Sequence, residues 1–296
     1  MIRWISAILS VLVLSTPAVA QITSLQNPLP QEAQTVLNEA RSAAREALEV
    51  YTTYRPDQPL FRQAIRLGRQ AVNLAPENPE ALRFLAELYG VTGFYGPAFN
   101  TWQRFVDAGG MLDGAARSQI AKTGTQDGYA RYTQGDLEGA DRAYRTVTRL
   151  VPGNVRAQRW VGRILLEQNR PRAALPYWRQ VQKLRPDDAG AAYFLTLSRA
   201  GVRYGLEAAR AFYGGVSDYE ADREGAAERK FSRAVALNPG YAAAWGYLGR
   251  LAFEAQAFAR AETAYRRASQ LAPQNETYRY FLEQAEARQA QTTQTP

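Results

Sequence analysis

The chain has 296 residues, 36 of them basic and 28 acidic, with no cysteine and no histidine. Without cysteine it has no disulfide, thiol nucleophile or thiolate metal site. Without histidine it loses the commonest general base and metal ligand, so Ser-His-Asp and zinc-histidine chemistry are excluded.

The N-terminus carries Arg3, an apolar run from Trp4 to Leu14, and Ala18-Val19-Ala20 ahead of Gln21. This is the layout of a cleavable secretory signal over residues 1–20, and the apolar run is shorter than the roughly 20 residues a membrane-spanning helix needs. An exported protein is therefore expected, in the periplasm, the cell envelope or the medium. Removing Arg3 lowers the formal charge from +8 to +7. Residues 21–30 read as a linker, and Pro30 to Tyr54 as a leading helix separated from its partner by Pro56 and Pro59.

From there the sequence repeats. A small residue, a bulky one four later, a small or apolar one three further on and a proline five beyond occur as Ala140, Tyr144, Val147 and Pro152. The set returns 34 residues later as Ala174, Trp178, Val181 and Pro186, and again as Ala227, Phe231, Ala234, Pro239 and Ala261, Tyr265, Ala268, Pro273. Ala64, Gly68, Ala71 and Pro76 form a weaker early copy; Ala98, Trp102 and Phe105 lack the proline. Apolar residues at i, i+4 and i+7 share one helical face, and the proline stops the helix. An asparagine or aspartate after that proline can cap the next helix. These residues, with Trp245, Leu248 and Gly249 in "AAAWGYLGRLAFEAQAFARAETAYRRASQLAPQN", resemble the tetratricopeptide repeat, here in an exported bacterial protein. The resemblance covers residues 31–290. It implies an all-α, right-handed superhelical solenoid of six or seven stacked antiparallel helix pairs, some degenerate, with a C-terminal capping helix from Glu276 to Arg288.

Two spacings depart from 34. Ala98 to Ala140 spans 42 residues, and "DAGGMLDGAARS" reads as a loop insertion and hinge near 107–120. Ala208 to Ala227 spans only 19, so "FYGGVSDYEADREG" makes a poor first helix and an irregular hairpin near 212–224. There a hairpin is shortened or one long helix replaces two. Residues 291–296 read as a disordered polar tail.

In this family the first helix of each pair lines a concave groove that holds peptides or protein segments, and the resemblance implies the same here. The residues falling on that face are Lys122, Tyr129, Tyr132, Arg156, Arg159, Arg163 and Arg250. Arg156, Arg159 and Arg163 stand at i, i+3 and i+7, one helical stripe. The stripe reads either as a basic groove for an acidic segment or as a solvated helix face. Trp102, Trp178, Phe212, Phe231 and Tyr265 read as core, and so does Trp245. Tyr193, Phe194, Tyr213 and Tyr219 surround the irregular stretch and line a pocket or fill a junction.

Four functions are weighed. The preferred one is a non-catalytic protein-binding scaffold of the cell envelope or periplasm, with a protein or peptide partner that includes acidic ones and no cofactor. The second is a binder of anionic cell-wall polymer or glycan; acids interspersed with the arginines argue against a nucleic-acid surface. The third is a homo-oligomeric structural element. For an enzyme, the acid-rich stretch Asp218, Glu220, Asp222, Glu224 is the dense carboxylate candidate. Alternating acids on a helix do not face one another, so it reads as solvated surface.

Overall fold

The computed structural model describes residues 28–294. The signal segment, most of the linker and the last two residues lie outside the described residues. Fourteen helices run in chain order among the described residues: α1 (Gln31–Val50), α2 (Pro59–Leu74), α3 (Pro79–Val91), α4 (Tyr95–Asp107), α5 (Gly114–Thr133), α6 (Leu137–Leu150), α7 (Val155–Glu167), α8 (Pro171–Leu184), α9 (Ala189–Tyr204), α10 (Leu206–Glu220), α11 (Glu224–Leu237), α12 (Ala242–Glu254), α13 (Phe258–Leu271) and α14 (Glu276–Gln294). The chain divides into two compact units after Trp160, within α7.

Five hairpins, α3–α4, α5–α6, α7–α8, α10–α11 and α12–α13, share one turn. In each, a backbone N–H donates five residues back in a Schellman bond: Phe94 to Tyr89, Asp136 to Arg131, Arg170 to Leu165, Arg223 to Asp218 and Ala257 to Ala252, at 2.8 or 2.9 Å. The residue before each donor is left-handed: Gly93, Gly135, Asn169, Asp222 and Gln256, with φ between 55° and 82°. Chain reversal at that point requires positive φ whatever the side chain, which is why Asn, Asp and Gln are tolerated where glycine is cheapest.

The second helix ends the same way each time. Ala75, Val151, Arg185, Asn238 and Ala272 precede the repeat prolines, with φ from −135° to −144° and ψ from 69° to 97°. Proline Cδ disfavours helical backbone in the residue before it, so the helix stops there. The next helix is then capped by Asn78, Asn154, Asp188 or Asn275, whose side chains accept N–H bonds at 2.8 to 3.3 Å.

The two helices of a hairpin lock through a glycine and a ring. A Cβ placed on Gly128 would stand 2.8 Å from Tyr144; on Gly162, 2.7 Å from Trp178; on Gly215, 2.7 Å from Phe231; on Gly249, 2.9 Å from Tyr265. Each ring lies flat on the bare backbone of the first helix, which explains the small-residue and aromatic spacing of the repeat. Trp102, Trp178, Phe212, Phe231 and Tyr265 are all buried. Trp245, read as core, is instead only half-buried, because its Nε1 donates to the Pro239 carbonyl at 3.0 Å at the edge of the repeat turn.

The leading helix is separated from its partner at Pro56 and Pro59 as read, ending at Val50, and Pro59 starts α2 at the first-turn position that suits proline. Three further expectations need correcting. The excess between Ala98 and Ala140 is not mainly loop: α5 has 20 residues where α7 and α12 have 13. The link from 108 to 113 is tied down as well, because Gly110 N–H donates to the Phe105 carbonyl and Asp113 caps α5 at Ala116. The closing helix runs past Arg288 to Gln294, into the stretch read as a polar tail.

The third of these corrections concerns 206–220, which is a complete first helix rather than a poor one. α9 runs through the place where a hairpin turn would form and stops at Gly205, φ 87°, and α10 begins at once. Ala208 keeps the 34-residue spacing from Ala174, while Gly215 meets Phe231 as a first helix does. One helix therefore packs against α9 on one side and forms a hairpin with α11 on the other.

Candidate functional site

In the second unit, α12, α13 and α14 enclose an open cleft of about 450 Å³. α12 supplies Ala243, Gly246, Tyr247, Arg250, Phe253 and Glu254; Tyr265, Thr277, Tyr278 and Phe281 close the other walls. The volume falls in the range of small-ligand and side-chain pockets. Gly246 is bare because Tyr278 occupies the space: a Cβ there would lie 2.5 Å from its ring.

The walls are mostly rings. Tyr265 stacks on Phe281 at 5.5 Å, Phe253 meets Phe281 edge-on at 5.7 Å, and Tyr247 stacks on Phe231 at 4.7 Å while meeting Tyr219 edge-on at 5.6 Å. Burial pushes the Tyr265 hydroxyl up to about 12 and raises that of Tyr278, so both stay protonated across the physiological range.

The charged pair that lines the cleft, Arg250 and Glu254, is tied to Tyr219 of α10, outside the lining. Arg250 Nε donates to Glu254 Oε1 at 2.9 Å, and the guanidinium lies 5.0 Å from the centre of the Tyr219 ring. The Tyr219 hydroxyl donates to both Glu254 oxygens, at 2.9 and 3.2 Å. The hydrogen bond to Glu254 and the neighbouring carboxylate hold the Arg250 pKa above its ordinary value, against partial burial. The arginine is thus fixed by a carboxylate and a ring, with its charge compensated.

A model of the tetratricopeptide repeat matches residues 126–189, 162–213 and 215–276, about half of the sequence. The chain belongs to the tetratricopeptide repeat family. Proteins of this family generally serve as non-catalytic scaffolds for protein or peptide partners. No curated protein matches the chain. Among solved structures it is similar to MamA (23% identity over 58% of this chain and 84% of that one, TM-score 0.27). It is also similar to YrrB, described as a tetratricopeptide repeat protein with an unusual peptide-binding site (16%, 80% and 97%, 0.35). A third likeness is to PilF of Pseudomonas aeruginosa (16%, 86% and 100%, 0.30). Likeness at this level adds nothing to what the helices themselves show.

Of the residues read from the repeat, Arg250 stands in the cleft wall. In the first unit, Tyr129 and Tyr132 converge on Trp160 at 5.8 and 4.7 Å, with Tyr144 stacked on the same indole at 5.5 Å. Lys122 Nζ lies 5.9 Å from the centre of the Tyr95 ring. Arg156, Arg159 and Arg163 are all exposed along α7, and Arg163 pairs with Glu167 at 3.0 Å. Arg163 and Arg250 thus share one device, a glutamate four residues on. Tyr193 is exposed and Tyr213 touches it edge-on at 6.2 Å. Tyr247, Phe253, Tyr278 and Phe281 were missed, because an aromatic in a repeat reads as core by default.

Asp218 also departs from expectation. It is only 5% exposed, with Arg223 and Lys230 each at 2.6 Å. Lys230 reaches it by lying along Gly214, whose Cβ would meet Lys230 Cδ at 3.2 Å. Hydrogen bonds from Lys230 and Arg223 hold the carboxyl below its usual range. Asp218 joins α10 to α11 rather than facing water. Asp222, in the same acidic stretch, is the left-handed turn residue.

In the first unit Glu87 on α3 is 5% exposed and is met by Arg83 Nε at 2.9 Å, while Arg83 Nη1 donates to Asp113 at 2.7 Å. Burial pushes the Glu87 carboxyl up to about 7, outweighing the pull of Arg83. Among the described residues no cluster of His, Cys, Asp or Glu suits a metal ion, and no helix is long and apolar enough to cross a membrane.

Proposed function

We propose that this protein is a non-catalytic scaffold that holds a segment of a partner protein against its first-helix surfaces, with the α12–α14 cleft as a principal contact. The observation that carries the reading is the cleft itself: ring walls with a prearranged arginine, on the helix face the repeat presents for binding. Arg250 is neutralised by Glu254 and Arg163 by Glu167, so the groove offers less uncompensated charge than its arginine count suggests. That favours a protein segment over an anionic polymer, which needs a net positive surface. We further propose export through residues 1–20, supported by the apolar run and Ala18-Val19-Ala20.

The test is selection from a displayed random-peptide library by residues 21–296. Enrichment of a sequence class that disappears with Tyr247→Ala and Arg250→Glu, at unchanged helical circular dichroism, is expected. Enrichment indifferent to both substitutions would remove the cleft from the function. For export, mass spectrometry of the mature chain should place its first residue at Gln21; an intact Met1 terminus in cells would sink that part.

A further inference from the structure

The cleft has a lopsided hydrogen-bonding inventory. Its lining side chains include several donors: the terminal guanidinium nitrogens of Arg250, the hydroxyls of Tyr247 and Tyr278, and that of Thr277. Its lining carboxylate, Glu254, already accepts from Tyr219 through both oxygens and from Arg250. The walls between these groups are flat rings: Tyr247, Phe253, Tyr265 and Phe281. The two charges, Arg250 and Glu254, lie 2.9 Å apart and cancel. An occupant that fits should offer carbonyl oxygens, few N–H donors, flat apolar faces and no net charge.

Proline-rich chain has that chemistry. Proline has no backbone N–H, its carbonyls point outward and unpaired in the extended polyproline II helix, and its ring faces pack on aromatic side chains. Such segments dock in aromatic-lined grooves at low entropic cost because they are already stiff. Resting on the scaffold reading above, we propose that the α12–α14 cleft binds a proline-rich segment in polyproline II form. Prolines lie on the rings of Tyr247 and Phe281, and carbonyls accept from Arg250 and the tyrosine hydroxyls. An acidic segment would have to compete with Glu254 for Arg250, and an ordinary extended strand would bring N–H groups to a cleft whose lining carboxylate is engaged, leaving them the weaker hydroxyl oxygens of Tyr247, Thr277 and Tyr278.

The experiment uses residues 21–296 and an N-acetylated, C-amidated peptide of about nine prolines, three turns of the helix. Comparison ligands are an equally long glutamate-rich peptide and a chitin-type oligosaccharide, followed by isothermal titration and by amide resonances of α12 and α14. Polyproline binding should persist when salt is raised, because the cleft is neutral. It should weaken about tenfold in Tyr247→Phe/Tyr278→Phe, which keeps the rings and removes the donors, and similarly in Arg250→Ala. Failure of polyproline to shift these resonances overturns the proposal, as does binding that the variants leave unchanged. If the acidic peptide binds at the cleft instead, the proline assignment falls and the scaffold reading stands. If only the oligosaccharide binds there, both fall.

Discussion

Replacing Gly249 by alanine sets two effects of known sign against each other. In the middle of α12, alanine gains about 1 kcal/mol over glycine in helix propensity. The new Cβ, however, would lie 2.9 to 3.0 Å from three atoms of the Tyr265 ring, closer than carbon atoms pack. Tyr265 is 3% exposed and stacked on Phe281, so it has nowhere to retreat. Overpacking of this kind costs about 1–3 kcal/mol, leaving a net loss of about 1 kcal/mol where an exposed helix site would gain the same amount. Urea denaturation followed at 222 nm should show the loss as a lower midpoint at unchanged slope. The decisive comparison is the same substitution in a Tyr265→Leu background, where the ring is gone and Gly249→Ala should turn neutral or stabilising. A Gly249→Ala protein more stable than wild type, or an equal loss in both backgrounds, would refute the glycine–ring lock.

Trp178→Ala should cost about 3–5 kcal/mol in the same assay, because it empties a fully packed site between Gly162 and Phe194. Gln256→Gly should raise stability by about 0.5–1 kcal/mol, since a non-glycine side chain there bears the strain of φ 58°; a loss would mean that the side chain contributes contacts the geometry does not show. Glu87 gives a pH signature. Its folded pKa of about 7 lies above the ordinary 4.5, so its contribution is fully present below 4.5 and is lost as pH rises through 7. The change amounts to about 3 kcal/mol at most. Melting at pH 5 and pH 8 should show a fall in wild type that Glu87→Gln flattens, and an unchanged slope in the variant would acquit Glu87.

The fold was legible because each hairpin writes the same contacts into the same positions. Trp178 on Gly162 and Tyr265 on Gly249 are one contact used twice, and the residue before each proline must leave the helix whatever its identity. The 19-residue spacing raises the alternative of one helix replacing two, but a period assigns each helix to one place and could not show that the 15-residue α10 serves both registers. Nor could it reveal that α5 absorbs an insertion as helix, where Gly109 and Gly110 advertised a loop. Asp218 was hidden because its partners come from the turn and from α11, so its own neighbours in sequence gave no hint of burial. The cleft was half legible: Arg250 followed from its repeat position. Its tyrosines could be told from core only by which ring faces remain uncovered.

In all four glycine–ring locks the partners stand sixteen residues apart: 128 and 144, 162 and 178, 215 and 231, 249 and 265. Each lock needs only a short loop to close and no help from distant sequence. Such contacts form fast and carry little loop-closure entropy. During synthesis each hairpin can therefore finish its central contact as soon as it leaves the ribosome, keeping its aromatic ring covered while the rest of the chain is still being made.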